Sequence, residues 1–497
     1  MLSWALRSPS SGARADSLYS GKLAVTAGVA MSAEQELKSL CPTRSAPNGA
    51  LETLLARAVL GSAPADRIYC LSLAAPLVPA ERLLTLPGYQ EQLLWAPSPE
   101  EEHSGVGAAC VLVGSGAGRF AQIRAAAAHM YQQLVRLEPE RVGAPDPRLL
   151  GGFAFQAAHC ESRLWQEFGD ARFILPRIAY TRRGRSAWLT LSADEHELRS
   201  PAGRERLIHE GHVALLLLHA PPPATAPGLA GLESFEQPEV EWAELVDKIR
   251  REISAGRLEK AVLARQVTLR GARLPPSARI LERLRTEAPR CTRYALKVNG
   301  HTFLGASPER LIKCEGLRVW TEAMAGSMRS DAPAHDEALL GSIKEGHEHD
   351  IVAQQILAVL TPLYRTLRAA GPDVHRLRHV AHLRTRFRGI LKERTHILEL
   401  VAHLHPTPAV GGSPRAAALA WLEEHEQLDR GFYAGPFGAF DAAGNGEFVV
   451  AIRSALLTGA EAHLFAGAGI VEGSEAASEL AETRLKLRSL LAAFGVS

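Results

Sequence analysis

The chain has 497 residues, 46% of them hydrophobic, and its 56 lysines and arginines nearly balance 54 aspartates and glutamates, leaving a formal charge of +2. That length supports a large core and two domains or lobes. The even charge, with no basic tract or basic stripe interleaved with aromatics, argues against a nucleic-acid partner, and no apolar run approaches the ~20 residues that span a bilayer. The six cysteines (Cys41, Cys70, Cys110, Cys160, Cys291, Cys314) are scattered without Cys-x-x-Cys spacing. This argues against a zinc site or a disulfide framework and fits a reducing, cytoplasmic setting.

Residues 1–30 carry Arg, Ser, Gly and Ala with one acidic residue, Asp16. The apolar stretch Leu23–Ala30 is interrupted and follows a polar region, which makes a poor secretory signal; composition leaves a transit peptide open. The preferred reading is a disordered extension or an upstream start codon, with Met31 as the functional start.

Residues 31–219 read as an N-terminal α/β lobe. Arg67–Leu73, Ala108–Val113, residues 151–155, Arg172–Tyr180 and Ala187–Leu191 are expected strands, and Phe120–Leu137 an alanine-rich helix. Glu205–Leu218 mixes both signals. The turn Gly114–Gly118 lies between a strand and a helix and imitates a dinucleotide-binding turn. It lacks the full Gly-x-Gly-x-x-Gly and a following acidic residue, so a packing turn is the better reading. Residues 220–240, rich in Pro, Ala and Gly, read as a linker, and 241–497 as the chemistry-bearing region.

That region opens with an amphipathic helix, Trp242–Ser254, carrying Leu245, Ile249 and Ile253 on one face. Leu258–Leu269 alternates as a strand in which Lys260 shares a face with Val262 and Ala264. Burial there would make its amine usable as a base, although a lysine at a strand end is more commonly solvated. Thr302–Ile312 reads as a strand and a Ser-Pro turn followed by Glu309; Ala325-Gly326-Ser327 reads as a small-residue turn whose N–H groups could approach an anion. Ser342–Leu360 is an expected helix with Ile351, Val352 and Val359 on its buried face. Glu348 falls on that face, one turn after Lys344, and a carboxylate there is costly unless paired or bound to metal. His347 and His349 point to different faces, so no zinc helix is formed.

Three prolines and two glycines in residues 405–414 fix an irregular loop suited to a pocket wall. Arg430–Arg453 reads as a hairpin turning at residues 443–446, with Tyr433 and Arg453 placed to meet a carboxylate. His463–Leu490 begins as an apolar strand, breaks at Gly467 and Gly469, and becomes a helix from about Glu475. Leu480, Leu487, Leu491 and Phe494 form its apolar stripe, with Glu479, Glu482 and Lys486 along the edge. Two carboxylates three apart suit a hard cation, but the same spacing is common on solvated faces.

Taken together, Trp242–Phe494 resembles the chorismate-utilising enzymes, and within them the isochorismate synthase branch, through Glu-Lys-Ala-Val-Leu-Ala-Arg at Lys260, Gly-Ala-Ser-Pro-Glu at Glu309, His-Glu-His at Glu348 and Ser-Glu-Leu-Ala-Glu-Thr at Glu482. The N-terminal half matches more loosely. The resemblance implies an α+β fold like that of anthranilate synthase component I: a large β-sandwich core with outer helices and the active site between the sheets. It makes Lys260 the base that activates water and Glu309 the general acid. It makes Glu348 and Glu482 Mg²⁺ ligands with Glu479 beside them. It places Gly326, Ser327, His382, Ala409, Tyr433, Arg453, Gly467, Gly469 and Lys486 around the substrate.

Amine-adding relatives typically lack the lysine found at 260, and salicylate-forming ones tend to have threonine at the position of Ala409. Both features favour plain isomerisation of chorismate to isochorismate. A salicylate synthase, which goes on to eliminate pyruvate, is the alternative, and an aminating homologue a more distant one. Ser327 stands where threonine is usual, and Glu345 where aspartate is common. The resemblance further implies a monomer acting on a small molecule without a glutaminase subunit or a membrane, its product serving menaquinone, siderophore or salicylate synthesis.

Overall fold

The computed structural model describes residues 49–58, 66–139, 142–157, 162–221, 231–330 and 335–496. The expected extension at 1–30 and residues 222–230 of the expected linker lie outside them. Within the described residues twenty strands join one continuous sheet, antiparallel except where Ile68–Ala74 runs parallel to Leu134–Leu137.

Strand Ala171–Arg183 forks this sheet. One edge pairs with Glu101–Gly114; the other pairs first with Leu149–Phe153 and then with Ser186–Asp194. From Glu101–Gly114 a first wing runs through Gln92–Ser98, Thr292–Val298, His301–Ser307, Ser454–Thr458 and Glu461–Ile470 to Lys260–Arg270. From Leu149–Phe153 a second wing runs through Pro436–Phe440, Gly446–Val450, Arg310–Glu315, Arg318–Arg329 and Val380–Leu391 to Tyr364–Arg376.

The wings face each other across a largely aromatic core. Trp95, Tyr294, Phe303 and Phe465 from the first and Phe153, Phe437, Phe440 and Phe448 from the second are fully buried in one cluster. Trp95 and Tyr294 meet Phe437 across the gap, with ring centroids 6.3 and 5.0 Å apart. Each such side chain contributes roughly 1.5–3 kcal/mol by leaving water, which explains why strands distant in sequence close on one another. Helices Pro201–His219, Ser277–Glu287 and Ala476–Phe494 cover the outer face of the first wing, over Leu94, Ala295, Leu304 and Leu464. None of the helices in the described residues is long and apolar enough to cross a membrane. The sandwich with outer helices is the architecture implied by the resemblance.

Several local expectations are corrected. The helix expected over Phe120–Leu137 spans Arg119–Gln132, and Leu134–Leu137 is instead a strand beside Ile68–Ala74, where sheet pairing outweighs helix propensity. The ambiguous Glu205–Leu218 is helical; Ser200 caps helix Pro201–His219, whose proline fits the first turn. The Gly114–Gly118 turn is the packing turn expected: its Gly116 N–H donates to the Asp170 carboxylate at 2.7 Å. Helix Glu239–Ser254 buries Trp242, Val246 and Ile249, so its inner face is rotated from the expected one.

Candidate active site

The chain crosses from the first wing to the second over two residues, Pro308 and Glu309, between strands His301–Ser307 and Arg310–Glu315. This crossing delivers Glu309 to the cleft between the wings. Its backbone is fixed by Glu309 N–H donating to Ser307 Oγ (3.2 Å) and by its carbonyl accepting from Val450 N–H (3.1 Å). The residue is 4% exposed. Burial first, and the nearby Glu322 second, push its carboxyl up to about 8, against the opposing pull of Lys260 and Lys486. Glu309 is therefore an acid that keeps its proton at neutral pH.

Lys260 opens strand Lys260–Arg270 and is fully buried, with Nζ 2.8 Å from Glu348 Oε1. An ammonium removed from water needs such a partner. Their meeting depends on Gly469. The expected break at Gly467 and Gly469 does not occur: both lie inside strand Glu461–Ile470, opposite Ala264 and Val262. A Cβ on Gly469 would stand 2.8 Å from Lys260 Cε and 3.0 Å from Glu348 Cδ, and one on Gly467 would stand 3.0 Å from Tyr433 Oη. The glycines admit side chains from other elements and leave the strand intact.

Glu348 comes from helix Ile343–Leu360, capped by Ser342, whose buried face carries Glu345, Glu348, His349, Val352 and Ile356. Glu345 accepts a hydrogen bond from Ser327 N–H at 2.7 Å. The expected turn at Ala325-Gly326-Ser327 is a bulge within strand Arg318–Arg329, with Gly326 at φ 73° and Glu345 backbone packed where its Cβ would be. Glycine alone takes both the left-handed backbone and this close approach without strain.

The remaining carboxylates come from helix Ala476–Phe494. Glu479 pairs with Lys344 at 2.7 Å, and Lys344 also lies 3.2 Å from Glu345. Glu482 pairs with Lys486 at 2.5 Å, one turn along the helix. The helix Glu-x-x-Glu is thus buried and lysine-paired, not a solvated face. Burial first and Glu482 second push Glu479 up to about 7, and burial together with Glu348 raises Glu345. Glu482 is lowered: burial raises it, but Lys486, Lys344 and Ser327 together outweigh that effect. Among the described residues no three carboxylate, imidazole or thiol groups converge closely enough to hold a metal, because each expected ligand is turned toward its own lysine. The donor chemistry nevertheless fits a hard dication, since all donors are carboxylate oxygens whose mutual repulsion such a charge would relieve.

Glu309, Ser327, Glu348, His382, Ala409, Tyr433, Arg453, Gly467, Gly469 and Lys486 line one cavity. Lys260, Gly326, Glu479 and Glu482 lie behind this lining. His382 is neutral, held well below its ordinary range by burial and then by Arg453. Arg453 donates to His382 Nε2 at 3.2 Å, so the ring proton sits on Nδ1, which faces the Gly326 carbonyl at 3.3 Å and Ser327 Oγ at 3.0 Å. Arg453 also donates to the Lys486 carbonyl at 2.8 Å. Its backbone is left-handed, φ 55°, a conformation uncommon for a non-glycine residue. Burial lowers its guanidinium to about 10, and it remains cationic. Tyr433 is buried and stacked on Phe465.

One functional group escaped the sequence reading. Arg430, buried at 3% exposure, donates to the carbonyls of Val410 (2.8 Å) and Val262 (2.7 Å) and is paired with Glu426, which accepts from Ala264 N–H. It ties the loop bearing Ala409 to the strand bearing Lys260. A single arginine before an apolar run carries no signal for this in sequence; three buried acceptors define the role only in space.

Over residues 64–495 the chain matches the family model described as chorismate binding enzyme. It is 36% identical over 437 residues to the salicylate biosynthesis isochorismate synthase of Pseudomonas aeruginosa, covering 84% of this chain and 89% of that one. Among solved structures, MenF, the menaquinone-specific isochorismate synthase from Escherichia coli, matches with a TM-score of 0.71 at 27% identity, covering 90% of this chain and 99% of that one. Anthranilate synthase component I from Streptococcus pneumoniae shares the fold, with a TM-score of 0.62 at 19% identity over 87% of this chain and 93% of that one.

Proposed function

The chain belongs to the chorismate-binding enzyme family, and from that premise we propose that it is an isochorismate synthase, an isomerase that interconverts chorismate and isochorismate. The observation that carries the reading is Glu309: a buried carboxyl, pushed up to about 8, facing a cavity that also holds Arg453 and Lys486. An acid that keeps its proton at neutral pH is what the departure of a ring hydroxyl requires.

In the proposed reaction Lys260 takes a proton from a water that adds at ring C2. The ring double bonds shift, and the C4 hydroxyl leaves as water with a proton from Glu309. Arg453, fixed by His382 and the Lys486 carbonyl, offers a guanidinium to a substrate carboxylate. Ser327 and Tyr433 supply hydroxyls along the same wall. Ala409 contributes only a methyl group, which leaves this wall without the threonine typical of salicylate-forming relatives. Water is the nucleophile, so no ammonia-delivering partner enters the scheme.

Glu348 and Glu482, with Glu479 adjacent, are the residues that would hold Mg²⁺, and when bound the ion would fix a substrate carboxylate and neutralise charge. In the structure each of these glutamates contacts a lysine through one oxygen, Glu348 with Lys260, Glu479 with Lys344 and Glu482 with Lys486, and the carboxylates would have to turn or share that contact to hold the ion.

Two substitutions test the assignment. Lys260→Met keeps side-chain length without a basic nitrogen, and Glu309→Gln keeps shape without a suitable acid. Each is expected to lower kcat by ~10²–10⁴-fold while chorismate with Mg²⁺ still raises the melting temperature. Turnover within a few-fold of wild type in either variant would remove that residue from the chemistry. Loss of both turnover and ligand stabilisation would reassign it to binding.

A further inference from the structure

A second cavity, of about 360 Å³, opens beside the catalytic one, and the two share Arg453 and Lys486. By the same measure the catalytic cavity holds only about 60 Å³, enough for a few waters and far below the ~300 Å³ at which small-molecule pockets begin. The larger chamber is of the right size for a ring bearing two carboxylates. Its walls are the end of helix Ser277–Glu287 with residues 288–291, the turn at residues 376–380, and Lys486, Ser489 and Leu490 of the last helix.

The chamber is lined by five cationic side chains and one carboxylate. Arg290 and Arg378 are exposed at its mouth, Arg376, paired with Asp336, stands beside them, and Arg453 and Lys486, the latter paired with Glu482, form its inner wall. The one carboxylate in the lining, Glu287, is paired with Arg378 at 2.8 Å. Among the described residues neither Arg290 nor Arg453 has a carboxylate at ion-pair distance. Arg290 donates to the Arg376 carbonyl, and Arg453 to the neutral His382 and the Lys486 carbonyl. Two guanidinium charges, one at the mouth and one at the inner wall, are thus open to an incoming anion.

We propose that this chamber is the vestibule through which the substrate dianion reaches the catalytic cavity. Arg290 collects a carboxylate at the mouth, beside the Arg378–Glu287 pair, and Arg453 receives one at the shared wall. The identity of the dianion rests on the reading of the chain as acting on chorismate; the route rests on the paired cavities. Passage requires the Arg453 guanidinium to turn from His382 toward the entering carboxylate, which replaces a neutral partner by a charged one.

The test uses the full chain, with chorismate and Mg²⁺, and two variants outside the catalytic machinery. Arg290→Gln/Arg378→Gln removes the mouth charges; Ser489→Trp fills the chamber. The double variant is expected to keep kcat within about twofold while kcat/KM falls about tenfold at low salt, with a shallower dependence on ionic strength than wild type, as loss of steering requires. Ser489→Trp is expected to lower kcat/KM at least tenfold at every salt concentration, with the melting temperature kept. Wild-type kcat/KM in either variant overturns the vestibule, as does an equal fall of kcat and kcat/KM with a lowered melting temperature, which marks a structural role. If the wild-type protein itself leaves chorismate unchanged, the functional reading fails and the proposed route fails with it.

Discussion

Replacing Gly469 with alanine tests the geometry that joins Lys260 to Glu348. The added methyl carbon would lie 2.8 Å from Lys260 Cε and 3.0 Å from Glu348 Cδ, where non-bonded carbons prefer about 3.5–4.0 Å. Both groups must therefore retreat by roughly 0.5–1 Å. Glu348 cannot move with its helix, because Val352 and Ile356 on the same face are buried, so the ion pair itself must open. Overpacking of this kind costs about 1–3 kcal/mol, and a misplacement near 1 Å at the chemistry costs up to ~10²-fold in rate. Gly469→Ala should lose ~10²-fold in kcat, raise the Mg²⁺ concentration needed for activation and lower the melting temperature by a few degrees. Gly467→Ala, whose Cβ would meet Tyr433 Oη and the Leu263 carbonyl at 3.0 and 3.1 Å, should be the milder of the two. A Gly469→Ala enzyme with kcat within threefold of wild type and unchanged Mg²⁺ activation would show that Gly469 does not hold Lys260 and Glu348 together.

The pH profile should report Glu309: kcat should fall as pH rises past about 8, where the acid ionises, and an activity still rising through that pH would count against it as the proton donor. Because its folded carboxyl is raised from 4.5 to about 8, its contribution to stability is complete below about pH 4.5 and is lost as pH climbs through about 8; Glu309→Gln should flatten the fall in melting temperature over that window. Glu348→Gln and Glu482→Gln should each abolish Mg²⁺-dependent turnover with the fold retained by circular dichroism, and full activity in EDTA would remove the metal from the scheme. With Ala409 in place, pyruvate should remain a trace product in a coupled lactate dehydrogenase assay, whereas stoichiometric pyruvate would turn the reading to a salicylate synthase.

The hairpin at Pro436–Val450, the helix beginning next to Glu475 and the anomalous Glu348 were legible because each depends on local pattern: turn chemistry, period, or charge on an apolar stripe. Lys260 and Glu309 were visible as residues, yet periodicity alone could not place them in one cleft; the crossing at Pro308-Glu309 and the forked strand Ala171–Arg183 do that. Glycine misled the reading where its role was tertiary. Gly467 and Gly469 mark room for Tyr433 and Glu348, which sequence spacing cannot distinguish from a strand end. The bulge at Gly326 passed for a turn for the same reason: the same φ serves both, and only the neighbouring strand Val380–Leu391 separates them. The lysine partners of Glu348 and Glu479 were equally hidden, because Lys260 and Lys344 come from elements remote in sequence from their carboxylates.

The proposed reaction adds water at one ring carbon and loses hydroxyl from another, and it is measured directly by the product formed from chorismate and Mg²⁺ in ¹⁸O-labelled water. At low conversion, chromatography with mass detection should find isochorismate carrying one heavy oxygen, formed by wild type and absent with Lys260→Met. Unlabelled isochorismate would mean that the hydroxyl migrates without solvent, and unchanged chorismate would contradict the assignment of the enzyme altogether.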